Sequence, residues 1–488
     1  KGQILLPFFC MRFFIILIFC VHAFSFCEVY NGLIFFSQSQ GSASSQTYLI
    51  SNSYNKVNIW EHELSAIGIP HLNPDGSIII QFKSPDHSFG NTRGPIGGNF
   101  KKIDWNGNTL WQYDFYNNSF HPHHDFEVLP NGNILVLGWE KIAYSDAINA
   151  GRVNIENEIW PLVIYEISPL DNDSAEIVWE WHIWDHLIQD IDSSLNNYGI
   201  IENSPELVDI NIGQFTNPIE GDWLHTNAIA YNEGLDQIVF SSRHLNEIFI
   251  IDHSTTTLEA SGHDGGNGNK GGDILYRWGN PMNYDRGTSN DQKLNAQHGV
   301  HWIPDNSPGS GKLLIFNNNP IDTIPNSNEF GNSSVIEFEP VMDSQGNYFL
   351  NSDSVYGPEN YDLVFGGNDS FFSSFQSGAY RLPNGNTFIT VSEEKRLFEV
   401  DEDDQVVWEC FTEQLSELMG YTARAKKYSL SYIIDLEGDI YIDNAINIYD
   451  LIQLSELIAG NQFLDKGDVN GDGEINNEDI FYLINLIF

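Results

Sequence analysis

The sequence predicts an all-β chain, a six-bladed β-propeller, with a small α-helical module behind it, and three observations carry that reading. From Asn31 to Phe411, short β-rich runs alternate with Asn-Gly, Asp-Gly and Gly-Asn turns, and helical periodicity is nearly absent. A tryptophan closes a strand repeatedly, at Trp60, Trp111, Trp179, Trp278 and Trp408. After Thr422 the pattern changes to two loops of oxygen-bearing side chains, each followed by an apolar run at helical spacing.

Taking the chain in order, Met11-Arg12, the apolar run Phe13 to Val21 and the small-x-small Ala23-Phe24-Ser25 have the form of a secretory signal peptide. Residues 1–25 are therefore set aside as signal peptide and upstream sequence, and the product is expected to be secreted, periplasmic or cell-surface. The run is too short to span a bilayer, and no other stretch reads as an integral membrane segment. Cys10 and Cys20 fall in that region, leaving Cys27 and Cys410, so no disulfide framework is expected. Phe24-Ser25-Phe26 is a poor context for lipid modification of Cys27.

The propeller is expected over 30–411. Ahead of each closing tryptophan lies an apolar strand, as in Leu162 to Ile167, Glu247 to Asp252 and Arg396 to Asp401. The units run at about 31–62, 68–113, 122–183, 223–280, 296–358 and 375–411. A closed ring lets each blade cover its neighbour's edge. Long insertions at 185–217 and 262–272 place loops on a rigid ring, where binding surfaces form. With 67 Asp and Glu against 22 Lys and Arg, the formal charge is −45, which argues against nucleic acid or an anionic membrane as partner.

One frame recurs at the start of successive units. His124-Asp125-Phe126-Glu127-Val128-Leu129-Pro130, His225 to Tyr231 and His298 to Pro304 all begin with histidine; Ser377 to Pro383 repeats the frame without it. The first strand of each blade lines the channel, so His124, His225 and His298 should meet at one mouth. A histidine bonded to neighbouring backbone is the bland reading of any one of them. Three in register are better explained by chemistry. Arg243, 18 residues past His225, should return on the second strand to the same mouth. A guanidinium beside imidazoles suits a tetrahedral oxyanion. Zinc or copper is the competing reading, but an arginine would repel the cation, and only Asp125 accompanies the slot as a carboxylate. Trp223, Trp302 and Tyr380 are candidates to stack on an aromatic substrate, though each is more often core. Arg381 and Arg277 are further cations.

These motifs carry a resemblance. His123-His124-Asp125-Phe126-Glu127-Val128-Leu129-Pro130-Asn131-Gly132-Asn133, Asp222-Trp223-Leu224-His225-Thr226-Asn227, Ser241-Ser242-Arg243-His244 and Gln297-His298 resemble the bacterial arylsulfate sulfotransferases. The resemblance implies a six-bladed propeller that moves sulfate from a phenolic sulfate donor to a phenol acceptor by a ping-pong reaction through a sulfohistidine, with no nucleotide donor and no cofactor for catalysis. It implies His298 as nucleophile, His225 and Asn227 at the sulfate, and Arg243 as anion clamp. The family's remaining histidine matches either His123 or His124; the internal repeat favours His124. His123, His244 and Arg381 join Asn227 as candidate substrate-binding residues. A non-catalytic binding or adhesion propeller and an aryl sulfate hydrolase are the alternatives.

Residues 412–430 read as a linker. In the last segment, 431–488, Asp468, Asn470, Asp472, Glu474 and Asp479 stand at calcium-loop spacing with Gly473 at the sharp turn. A weaker copy places Asp439, Asp443 and Asp450. The two loop-plus-helix copies resemble a type I dockerin, which implies calcium binding and a cohesin-like partner, though Tyr441 and Asn444 weaken the first loop.

Overall fold

The structure, a computed structural model, describes residues 28–487 apart from 41–43, 86–87, 90–94, 154, 172, 214–220, 320–330, 352–353, 368–369, 416–419, 434–445, 447, 461–466 and 471–473. The leader at 1–25, Cys27, and Asp439, Asp443 and Asp472 lie outside the described residues.

Six four-stranded antiparallel sheets form the ring. Blades two to six each run outward in chain order. Their inner strands are Ala66–Leu72, Phe120–Val128, Thr226–Asn232, His298–Trp302 and Gly378–Arg381. Middle strands such as Ile78–Phe82, Leu313–Asn317 and Thr387–Val391 are buried throughout, because a neighbouring sheet covers each face.

The recurring tryptophan has a common job. Each is buried, and each indole N–H donates to the next blade: Trp60 to Asp104 O (2.8 Å), Trp111 to Ser174 O (2.9 Å), Trp179 to Thr255 Oγ1 (3.2 Å), Trp278 to Pro358 O (2.9 Å) and Trp408 to Asn52 O (2.8 Å). A large apolar ring with one donor is suited to a junction that is dry on one side and backbone on the other. Blade five has no such tryptophan on its outer strand, Asp362–Gly366, which lies beyond the boundary near 358 expected from the repeat. Its junction with blade six is instead a phenylalanine cluster of Phe365, Phe371 and Phe398.

Blade one closes the circle. Gly32–Gln40, Ser44–Ser51 and Lys56–His62 are three of its strands; the innermost is Ala425–Ser429, paired antiparallel from Gly32↔Ser429 to Phe36↔Ala425. The segment 412–430 is therefore not merely a linker. Three strands at 31–62 leave the channel wall incomplete, and the alternating stretch Arg424 to Ser429 completes it.

Behind the ring, helices Ile448–Gly460 and Asn477–Ile487 bury Leu454 and Leu483 in one cluster with Leu72, Ile78 and Trp60 of blades one and two. Asp450 and Asp479, the last residues of the two calcium-loop motifs, are fully buried in the first turns of these helices. Asp479 accepts from the backbone N–H groups of Asn470 (3.2 Å) and Asn476 (2.8 Å). Among the described residues, no helix is long and apolar enough to cross a membrane.

Candidate active site

In blades two to five the inner strand is interrupted near its start by a register shift, at Ile67/His71, Pro122/Phe126, Thr226/Ala228 and His298/His301. Such bulges re-aim side chains. His124 (φ 53°) and His225 (φ 48°) both adopt the left-handed backbone there. The result gathers the histidines at one mouth of the channel, beside a cavity of about 550 Å³ lined by His124, Asn227, His298, Gln376, Tyr421 and Arg424 among others.

His298 is held in one tautomer. Its Nδ1 faces two acceptors, Asn318 Oδ1 at 2.7 Å and Ala296 O at 3.1 Å, so Nδ1 carries the hydrogen. Asn318 is itself fixed, its amide nitrogen donating to Ser373 O (2.9 Å) and Gln376 O (3.1 Å). The lone pair therefore resides on Nε2, toward which the Gln376 N–H points from 3.2 Å. Burial first, then the Arg243 charge, push the imidazole pKa well below its ordinary value, against the Asn318 hydrogen bond. At neutral pH this is a neutral nitrogen base whose lone pair accepts one backbone N–H.

His225 packs edge-on to His124, ring centroids 4.5 Å apart. Its Nδ1 lies 2.5 Å from Asp222 Oδ2, and Asp222 Oδ1 accepts from the His225 backbone N–H (3.1 Å) and the Trp139 indole (3.0 Å). Burial opposes the charge on Asp222, yet the His225 side chain beside it holds its carboxyl well below the usual range. That carboxylate aims the other nitrogen of His225 away from itself. His124 is kept neutral by burial and by His225. Behind it, His123 lies flat against Trp139 (4.2 Å) and meets His124 Nδ1 at 2.8 Å. The cavity residue of the pair is thus His124, and His123 supports it.

Arg243 is anchored where expected, its backbone N–H on His225 O at 3.2 Å. His244 stacks behind His225 (4.8 Å) and bonds Trp223 O through Nδ1 at 3.2 Å; burial, then His225, push it down to about 4. Asn227 donates to Gln297 O at 2.8 Å, and its Oδ1 is left without a partner, so it offers an acceptor. The ligand atoms of Asp222, His225 and His244 fall within 4.8 Å of one another. Here, however, both Asp222 oxygens already serve His225 and Trp139.

Other expectations do not meet in this cavity. Arg381 lies at the far end of its strand, bound to Glu337 Oε2 (2.5 Å) and Gly385 O (3.0 Å). The frame runs the length of the channel wall, so its last residues face the other mouth. Trp302 and Tyr380 line the chamber there, of about 770 Å³, with Glu127, His301 and Lys426. Trp223 is core, its indole on Ile212 O (2.9 Å) and its face under Arg152. Arg277 is locked to Glu247 by bonds of 2.9 and 2.6 Å. The aromatic that does line the histidine cavity is Tyr421.

Two parts of the site escaped the sequence. Asn318 sits in an Asn-Asn-Asn run with nothing to mark it. Arg424 stands just before the ring-closing strand; its guanidinium pairs with Asp125 at 2.7 Å, both side chains buried, between the two chambers. Asp125 is consequently an ion-pair partner and not a metal ligand. Gly378 makes room, since a Cβ there would come within 2.7 Å of Arg424 Cδ. Asp222, by contrast, carried a signal: a carboxylate three residues before a slot histidine.

Comparison with known proteins places residues 30–392 in a match to the family model described as Arylsulfotransferase (ASST). No curated protein matches the chain. Among solved structures, a protein of unknown function from Bacteroides caccae is 12% identical, covering 81% of this chain and 98% of its own, with a TM-score of 0.41. The periplasmic gluconolactonase PpgL of Pseudomonas aeruginosa is 10% identical over 82% and 99%, TM-score 0.40. Virginiamycin B lyase from Staphylococcus aureus is 11% identical over 78% and 84%, TM-score 0.33.

Proposed function

The chain belongs to the arylsulfotransferase family, and from that premise we propose that it is an exported enzyme transferring a sulfuryl group from a phenolic sulfate ester to a phenol through a sulfohistidine on His298. One observation carries the reading: a buried, neutral imidazole whose Nδ1–H is committed to Asn318, beside a cavity lined by His124 and Arg424 and within charge range of Arg243 and His225.

The steps balance. His298 Nε2 attacks sulfur, the S–O bond to the aryl group breaks, and the departing phenolate takes a proton from His225, the histidine paired with the Asp222 carboxylate. Arg243 offsets charge on the sulfuryl oxygens. In the second half, the acceptor phenol gives its proton back to the same base, its oxygen attacks sulfur, and the N–S bond breaks. A phenol is a good leaving group, which makes an aryl ester a fitting donor.

The C-terminal segment is proposed as a dockerin-like calcium module. Asp468, Asn470, Glu474 and Asp479, with the equivalent Asp450, supply the hard oxygen ligands calcium prefers. The ion would hold the loop closed, and a cohesin-like protein is the partner this implies.

The experiment uses the full chain with a chromogenic aryl sulfate, with and without a second phenol. Phenol-dependent release of the chromogen is expected. Release without acceptor makes it a hydrolase, and silence in both makes it a binding module.

A further inference from the structure

On the outer side of blades three and four, away from the channel, three side chains converge in a way that hydrogen bonding alone leaves incomplete. His186 follows the turn Ile183–Asp185 and is fully buried, its ring lying flat on Trp181 at 5.5 Å and 6°. Its Nε2 is 2.9 Å from Ala260 O. A carbonyl only accepts, so Nε2 carries a hydrogen, and in the neutral ring Nδ1 carries a lone pair. That nitrogen faces Asp273 Oδ1 across 2.7 Å, another lone-pair atom, on a residue that is itself buried. His263 brings its Nδ1 to 2.8 Å from the same oxygen, while its side chain is 63% exposed. Two imidazole nitrogens and a carboxylate oxygen thus point at one spot, and with a neutral His186 ring its Nδ1 and Asp273 Oδ1 meet with no hydrogen between them.

From this geometry we propose that His186, His263 and Asp273 form a zinc(II) site outside the catalytic cavity. The donor set of two imidazoles and a carboxylate is one that zinc takes, with a fourth position left for water. The bond from His186 Nε2–H to a backbone carbonyl is the outer contact that orients metal-binding histidines. The two histidine–carboxylate pairs, at 2.7 and 2.8 Å, have to open by only about 0.5 Å to accommodate tetrahedral bonds of ~2.0–2.1 Å. The cradle is built for close approach: a Cβ at Gly272 would lie 1.9 Å from Ala260 O and 2.6 Å from His186 Nε2. Trp181 donates to Gly272 O at 2.7 Å and steadies the floor. A cavity of about 580 Å³ bordered by His263 provides an entry path. The ion would tie the insertion after blade three, which pairs Leu187–Ile188 with Val208–Asp209, to the loop leading into blade four's outer strand, Tyr276–Trp278.

The test is equilibrium titration of the full chain with zinc chloride in saturating calcium, repeated on His263→Ala, Asp273→Asn and His244→Ala. One equivalent should bind to the wild-type and His244→Ala proteins. His263→Ala should weaken binding at least about tenfold, since losing even an outer partner of a zinc ligand costs 10–100-fold. His263 is exposed, so its variant folds even if Asp273→Asn does not. Aryl sulfate turnover should be unchanged in His263→Ala. Absence of zinc binding overturns the proposal, as does binding that survives His263→Ala. Binding lost in His244→Ala instead would place the ion on Asp222, His225 and His244 and equally overturn it.

Discussion

His298 and His253 are both largely buried imidazoles in one ring, and they are wired in opposite ways. His298 meets only neutral partners, an amide oxygen at Nδ1 and a backbone N–H at Nε2, so burial prevails and its pKa falls well below the ordinary value. His253 meets Glu166 at 3.0 Å on one nitrogen and Asp236 at 2.8 Å on the other; the carboxylates overcome burial and raise its pKa. One arrangement keeps the ring neutral, with its lone pair on Nε2. The other favours the cationic form and fastens blade three to blade four. Histidine content alone distinguishes neither role; the charge of the partners does.

The comparison is broken most completely by removing the reactive ring. His298→Ala should lower kcat by about 10³-fold or more and prevent trapping of a sulfated protein, read by mass spectrometry after donor is added without acceptor. Next comes Arg424→Met. It leaves Asp125 buried without its guanidinium and should cost about 3 kcal/mol in urea unfolding, a loss that Asp125→Asn added to it partly restores.

Asn318 sharpens the comparison by converting one wiring into the other. Asn318→Leu should reduce kcat by about 10²-fold, since the tautomer is no longer held. Asn318→Asp should place a carboxylate on Nδ1 and raise the pKa of His298. In the wild type the imidazole is deprotonated above its depressed pKa, so kcat/KM should show no acid limb between pH 8 and 6. The Asp variant should bring an acid limb into that window; unchanged profiles would mean that Asn318 does not set the basicity of His298.

The smallest effect belongs to the cationic staple. A group whose folded pKa is raised contributes its full stability below the unfolded value near 6.5, and loses it as pH rises through the folded pKa. His253→Gln should therefore cost about 1–2 kcal/mol at pH 5.5 and progressively less toward pH 9, measured by chemical denaturation.

Much of this ring could be read beforehand because its signals are local. Turn dipeptides and a tryptophan at the edge of five of the six blades are written into short windows, and the slot histidines repeat one frame. The indole bonds across five junctions explain why that tryptophan recurs. What stayed hidden depends on contacts between distant segments. Asn318 acts through carbonyls at 373 and 376, and Arg424 meets Asp125 only once a strand near the end of the ring joins one near its beginning. Arg381 was misplaced for a related reason: the frame that begins at one mouth ends at the other.

The ring-closing strand has a temporal consequence. Ala425–Ser429 is the last part of the propeller to leave the ribosome, and Arg424 precedes it by one residue. Until Ser429 has been made, blade one lacks its inner strand and the channel lacks the cation that divides it. The histidines cannot be enclosed on a shorter chain. Closure of the ring thus waits on the segment made last, and the proposed site is complete only when the two ends of the ring meet.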